Sequence, residues 1–219
     1  MIALNPARLL ATPTCYHYLR QVLTGGMPFR SWVDLYGLSS PEQRVADLGC
    51  GPADILRYVK ADRRPAFYLG VDVSGRYLDA ARRRAARAGV PADFVQMDLS
   101  RAAIDLPFRE ALVRLLEQHR ITRVLLLGVL HHVDDEAALR TLDLVASASG
   151  VRSLVTIDVV YLPNERVNNW LCARDRGRHV RDEAGYDALA ARCAWPRHRK
   201  FWTSPNLRFI KYLHYDFSK

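Results

Sequence analysis

The 219-residue chain predicts an α/β fold: a mostly parallel, seven-stranded sheet with helices on its faces, closed at one edge by an antiparallel hairpin. Two observations predict it. From Arg44 onward, five short apolar runs alternate with helical stretches, and the tail then offers two strand-like pieces divided by Ser204-Pro205-Asn206.

The elements follow in order. Residues 1–42 carry no strand pattern, and Tyr16, Tyr18, Leu19, Val22 and Leu23 recur at helical spacing before Gly25-Gly26, which predicts a helical N-terminal cap. Residues 43–219 form the main domain. Its strands are expected at VADLG, AFYLGVDV, DFVQMD, RVLLLGV and SLVTIDVV, runs apolar enough to be buried on both faces as in a parallel sheet. A helix is expected from about Ile55, a second from Ser74 as N-cap to Gly89 as stop, and a third over FREALVRLLEQH. After the fifth strand, about thirty residues read as two helices around the polar turn Asp175-Arg176-Gly177. Residues 161–181 within them are expected to form a lid or acceptor-binding insertion that orders on binding. The tail, HRKFWTSPNLRFIKYLHYDF, supplies the hairpin.

Composition narrows the function classes. No run approaches the roughly 20 apolar residues that span a bilayer, and the N-terminus lacks a signal-peptide core, so a soluble, cytoplasmic protein is expected. Cys15, Cys50, Cys172 and Cys193 are far apart, with no paired spacing and no histidine at metal-ligand distance; no metal site and no disulfide framework is expected. The formal charge of +9 comes largely from arginines scattered over helices, such as Arg82, Arg83, Arg84 and Arg87, which suits a solvated face better than a nucleic-acid interface. The edge hairpin or the N-terminal helix offers a surface for a homodimer.

In a doubly wound sheet the ligand lies beyond the carboxyl ends of the strands. The first run ends in Asp47-Leu48-Gly49-Cys50-Gly51-Pro52-Ala53-Asp54, a glycine turn that lets backbone approach a ligand. A dinucleotide fingerprint would have glycine at position 54 and no carboxylate facing a pyrophosphate, whereas Asp47 and Asp54 favour a cofactor carrying an ammonium and a sulfonium. The second run ends at Asp72, twenty-three residues after Gly49, where a carboxylate can accept both hydroxyls of a ribose. The third ends at Asp98, placed to accept from an adenine amino group while Met97 or Leu99 packs on the ring. Any one of these acids would be read as a cap or turn former; three ending successive strands are hard to assign to capping alone.

DLGCGPADIL, GVDVS, VQMDLS and LGVLHHVDD resemble the successive motifs of the class I S-adenosylmethionine-dependent methyltransferases, which have a Rossmann-like core; the resemblance covers roughly residues 40–160. It implies that Asp47, Gly49 and Gly51 hold the methionine part of S-adenosylmethionine, Asp72 and Val73 the ribose side, and Asp98 and Leu99 the adenine, with Leu130 or Val129 near the sulfonium. Ala53 stands where many members carry a third glycine. The flanking segments resemble small bacterial members whose better understood relatives methylate small metabolites, some on a phosphonate oxygen.

Methyl transfer from a sulfonium is an in-line displacement, so the expected activity is methylation, most simply O-methylation, of a small polar acceptor held about 3 to 3.5 Å from the methyl group. His131, just after the fourth strand, is the expected base or acceptor contact, beside His132. Arg174, Arg176 and Arg178 on the insertion could clamp a phosphonate, phosphate or carboxylate, and Tyr16 could close over the acceptor. The alternatives are a nucleic-acid or protein methyltransferase, or a scaffold that binds S-adenosylmethionine without turnover.

Overall fold

The computed structural model describes residues 29–202, apart from 176, and residues 210–219. Tyr16 and the expected helix around it, Cys15, Arg176 and the turn at Ser204-Pro205-Asn206 lie outside the described residues.

Among the described residues eight strands are seen: β1 (Arg44–Leu48), β2 (Phe67–Asp72), β3 (Ala92–Gln96), β4 (Arg123–Leu127), β5 (Ser153–Tyr161), the two-residue β6 (Arg181–Asp182), β7 (Arg197–Trp202) and β8 (Tyr212–Ser218). The order is β3-β2-β1-β4-β5-β8-β7, with β6 pairing to β5 off this path. β1 to β5 are mutually parallel, in registers such as Asp47 with Gly70 and Leu125 with Val155. β8 runs antiparallel to both neighbours, with Leu154 opposite Phe217 and Phe217 opposite His198. The five apolar runs and the closing hairpin thus form the Rossmann-like sheet that the alternation of elements predicts.

The helices are α1 (Phe29–Leu35), α2 (Gly75–Ala88), α3 (Leu106–Gln118), α4 (Asp135–Ser147), α5 (Arg166–Cys172) and α6 (Glu183–Arg192). Four of these starts carry side-chain caps. Ser74 accepts from the Tyr77 amide, Asp105 from Phe108, Asp134 from Ala137 and Asp182 from Gly185, each satisfying an orphan N–H of a first turn. α2 stops at Gly89, whose φ of 63° puts the chain in the left-handed region open to glycine.

Side chains alternate across the sheet into two apolar layers. Ala46, Leu69 and Val124 pack with α3, α4 and α6, while Val45, Tyr68 and Leu125 pack with α1 and α2. The helix expected from about Ile55 is a single 3₁₀ turn, Asp54–Tyr58, because the chain returns to extended geometry at Val59 and closes a Lys60–Arg63 bridge before β2. α5 and α6 flank residues 173–180, as the two-helix reading of the insertion anticipates. No helix among the described residues is long and apolar enough to cross a membrane.

Candidate functional site

A cleft of about 740 Å³ opens beyond the carboxyl ends of β1 to β4, a size usual for small-molecule and cofactor sites of ~300 to 1,000 Å³. Its floor is the turn after β1. Gly49 has φ 80°, and a Cβ there would stand 2.5 Å from Cγ2 of Val129, so a side chain would be both strained and blocked. Gly51 has φ 54° with nothing within 4 Å of a Cβ, leaving its face open to the cleft.

Three strand-end acids line this one cavity: Asp47, Asp72 and Asp98. Asp47 is buried and accepts a 2.6 Å hydrogen bond from the Tyr68 hydroxyl. Asp72 accepts from the Gly51 amide through one oxygen and from the Ser74 amide through the other, both at 2.8 Å, so it ties the glycine turn to the start of α2. Asp98 caps a short 3₁₀ turn, accepting from the Ser100 amide and hydroxyl. The field between these acids is negative. Burial, then the charges of Asp47 and Asp72, push the Cys50 thiol well above its ordinary range. Val73, Met97, Leu99 and Val129 supply apolar wall.

Asp54 behaves differently from its reading in the sequence. It is buried and paired with Arg84 at 2.9 Å and with Arg57 at 3.3 Å, so its charge is compensated and the electrostatic preference of the cleft rests on Asp47 and Asp72. Ala53 occupies left-handed backbone, φ 53° and ψ 49°, which explains physically why glycine suits this position.

The turn after β4 divides the two histidines. His132 is exposed and lines the cleft. His131 lies beneath, only 4% exposed, with Nδ1 2.6 Å from Asp158 Oδ1 and Nε2 3.1 Å from Asp175 Oδ1. Burial opposes a charge on this ring, but the bonds to Asp158 and Asp175 outweigh it and raise its pKa to about 9. The same contacts draw the Asp175 carboxyl well below its ordinary value against the opposing effect of burial, whereas burial raises that of Asp158. His131, His132 and Asp175 each bring a ligand-type atom within 4.8 Å of the others, but both nitrogens of His131 already face carboxylates, so the group reads as an ion-pair relay.

The remaining sequence candidates are spread out. Leu130 is buried in the core with its carbonyl bound by Arg181, and Val129, not Leu130, faces the cleft. Arg174 is exposed and stacks 4.0 Å from the Trp170 ring centroid, and Arg178 is exposed. Trp32, Arg76 and Tyr77 also line the cleft, unanticipated in the sequence because nothing in α1 or the first turn of α2 marks them as other than packing or surface. Asp158 did carry a signal: an acid inside the apolar run SLVTIDVV must find a partner. The cysteines Cys50, Cys172 and Cys193 are free and buried.

Comparison with known proteins agrees with this geometry. Residues 45–149 match the family model of a methyltransferase domain. No curated protein matches the chain. The magnesium protoporphyrin IX methyltransferase of Synechocystis PCC 6803, solved with bound S-adenosylhomocysteine, is similar in structure at TM-score 0.58 and 17% identity, over 97% of this chain and 92% of that one. The trans-methyltransferase CalH, also solved with S-adenosylhomocysteine, gives 0.68 and 16% over 98% of this chain and 62% of that one. An S-adenosylmethionine-dependent methyltransferase from Archaeoglobus fulgidus gives 0.62 and 13% over 93% of this chain and all of that one, 100%.

The cleft fits S-adenosylmethionine on its own terms: it has a glycine floor open to close approach, acids at three strand ends, and apolar wall between them. Residues 45–149 are thus a methyltransferase domain, set in a Rossmann-like fold similar to that of S-adenosylmethionine-dependent methyltransferases.

Proposed function

We propose that this enzyme methylates a small polar acceptor, most simply on oxygen, with the acceptor seated between the acid-lined end of the cleft and His132. One observation carries the reading: the strand-end acids and an exposed imidazole share a single cavity of cofactor-plus-substrate size. S-adenosylmethionine, when bound, supplies an electrophilic methyl group.

Asp47, with the open backbone of Gly49 and Gly51, would hold the ammonium end. Asp72 and Val73 would meet the ribose, and Asp98 and Leu99 the adenine. Val129 narrows the cleft opposite Gly49, where the side chain controls how closely a ligand approaches. His132 is the candidate general base for a hydroxyl acceptor, since both ring nitrogens of His131 are engaged by Asp158 and Asp175. Arg178, with Arg174 and Arg176, remains the candidate contact for an anionic acceptor, and an anion would need no base. The segment 161–181 would act as the acceptor-side lid, and Tyr16 would contribute from the N-terminal segment.

The positive charge does not favour a nucleic-acid acceptor. The basic run of β7 is internally paired, Arg199 with Asp216 at 2.9 Å and Lys200 with Glu183 and Asp187 at 2.7 and 2.8 Å.

Calorimetry with S-adenosylmethionine, S-adenosylhomocysteine and NADH tests the cofactor half. The first two should bind and NADH should not, and Asp72→Ala should weaken binding at least tenfold, as for loss of hydrogen bonds to a charged group worth about 1.5 to 3 kcal/mol. A methyl-transfer screen over phosphonates, carboxylates and sugars tests the acceptor half. His132→Gln should lower turnover of a hydroxyl acceptor by about 10²- to 10⁴-fold while leaving cofactor affinity intact. Transfer to nucleic acid or protein alone would overturn the proposal.

A further inference from the structure

Between α5 and β6 the chain crosses over the turn that follows β4 and is fastened to it at several points. Asp175 Oδ1 faces His131 Nε2 at 3.1 Å. The His179 amide donates to the His131 carbonyl at 2.9 Å. Arg181 donates to the carbonyls of Leu130 and Val133 at 2.7 and 3.0 Å, and pairs with Asp135 at 2.7 Å. A Cβ on Gly177 would collide with Cδ2 of His131, so the strap lies directly against the imidazole. The His131 ring in turn sits 4.2 Å from that of His132, on the cleft wall.

We propose that His131 is a positioning residue: clamped between Asp158 and Asp175, it fastens the strap, described at residues 173–175 and 177–181, over the turn after β4 and thereby sets His132 in the wall of the cleft. The clamp needs an N–H on both ring nitrogens, which only the imidazolium has. The groups facing the ring are Asp158 from β5, Asp175 from the strap, His132 beside it in the turn and Arg181 from β6. Of these, the two carboxylates hold the proton in place.

When the ring is neutral, one nitrogen becomes an acceptor and can serve only one acid. Asp158 is 2% exposed and cannot exchange His131 for water, whereas the Asp175 side chain is 34% exposed. The remaining N–H therefore stays with Asp158, the lone pair turns on Asp175, and the strap is the part that lets go. The role given to His132 rests on the methyltransferase reading; the fastening of the strap does not.

Hydrogen–deuterium exchange of peptides covering residues 173–181, corrected for intrinsic rates, reads the strap directly. In the native protein, protection should fall at least tenfold between pH 8 and pH 10, in step with titration of the His131 ring followed by NMR. Asp175→Ala should show that loss already at pH 7, have no further step up to pH 10, and shift the His132 ring resonances; Asp175→Asn, which can still accept from Nε2, should recover part of the protection. S-adenosylmethionine affinity should change by less than threefold. Protection in the native protein that is flat from pH 8 to 10, or strap exchange and His132 resonances unaltered by Asp175→Ala, overturns the proposal, as does cofactor affinity that collapses along with the strap. Failure of S-adenosylmethionine to bind even the native protein would count against the cofactor reading and leave the exchange result standing.

Discussion

Arg84 Nη2 lies 2.9 Å from Asp54 Oδ1, and the two side chains are 9% and 7% exposed, making a nearly buried ion pair behind the glycine turn. Arg84 also donates to the carbonyl of Pro52, so one guanidinium joins α2 to the floor of the cleft. Truncating it removes the buried cation beside Asp54, while Arg57 is half-exposed. Arg84→Met should cost about 3 kcal/mol in urea unfolding, as for a buried acid that loses its partner. Adding Asp54→Asn to that variant should restore part of the loss; a double variant no more stable than Arg84→Met would show that the pair itself is not the source.

His214 is fully buried, with its Nδ1 3.2 Å from the Tyr36 hydroxyl, and burial lowers its pKa from the ordinary 6.5 to about 4. The folded state thus prefers the neutral ring, and unfolding releases a group that binds a proton more readily. The corresponding stability is complete above pH 6.5 and is lost as the pH falls toward 4, up to about 3 kcal/mol at 1.36 kcal/mol per pKa unit. Unfolding free energies of the native protein and His214→Gln, measured between pH 7 and pH 4, should converge on the acid side. Parallel profiles would mean that His214 does not carry the acid sensitivity.

Ala53 holds left-handed backbone without being glycine. A left-handed alanine costs ~1 to 2 kcal/mol, and glycine gives back a fraction of that through its freer unfolded chain. Ala53→Gly is therefore expected to be neutral or to raise stability by up to about 1 kcal/mol, the reverse of the usual alanine-to-glycine effect. A clear drop in midpoint denaturant concentration would contradict it.

Gly49 meets two separate obstacles to substitution, its φ of 80° and the methyl of Val129. Gly49→Ala should destabilise the protein and weaken S-adenosylmethionine binding. Val129→Ala in the same chain should relieve the steric part alone, recovering some but not all of the stability. Full recovery would show that the backbone angle costs little here.

Much of this architecture could be read in advance because parallel strands buried on both faces leave unbroken apolar runs, and because Ser74 and Gly89 are local signals for the ends of one helix. The strand-end acids were legible for the same reason: each terminates a run. The partnerships were not. Asp54 and Arg84 are thirty residues apart and meet only when α2 packs on the turn, so the sequence showed an acid where the fold presents a compensated pair. Asp175 stands among arginines in the sequence, yet it faces His131, forty-four residues earlier in the chain. His131 and His132 were adjacent and chemically equal in the sequence; one short 3₁₀ turn sends the first into the interior and the second to the cleft.

Among the described residues β7 bonds to no strand except β8, and β8 pairs along β5 from Ser153 to Val159. The segment Tyr212–Ser218 therefore does two jobs at once: it docks an exposed, strongly basic edge and seals a nine-residue strand made almost wholly of buried side chains. Until it is seated, Leu154, Val155 and Ile157 belong to an open apolar edge of the kind that recruits other chains. The paired arginines and lysine of β7 make the opposite kind of border, a charged one that neighbours do not extend. One strand thus joins a buried apolar neighbour on one side to a charged, exposed neighbour on the other.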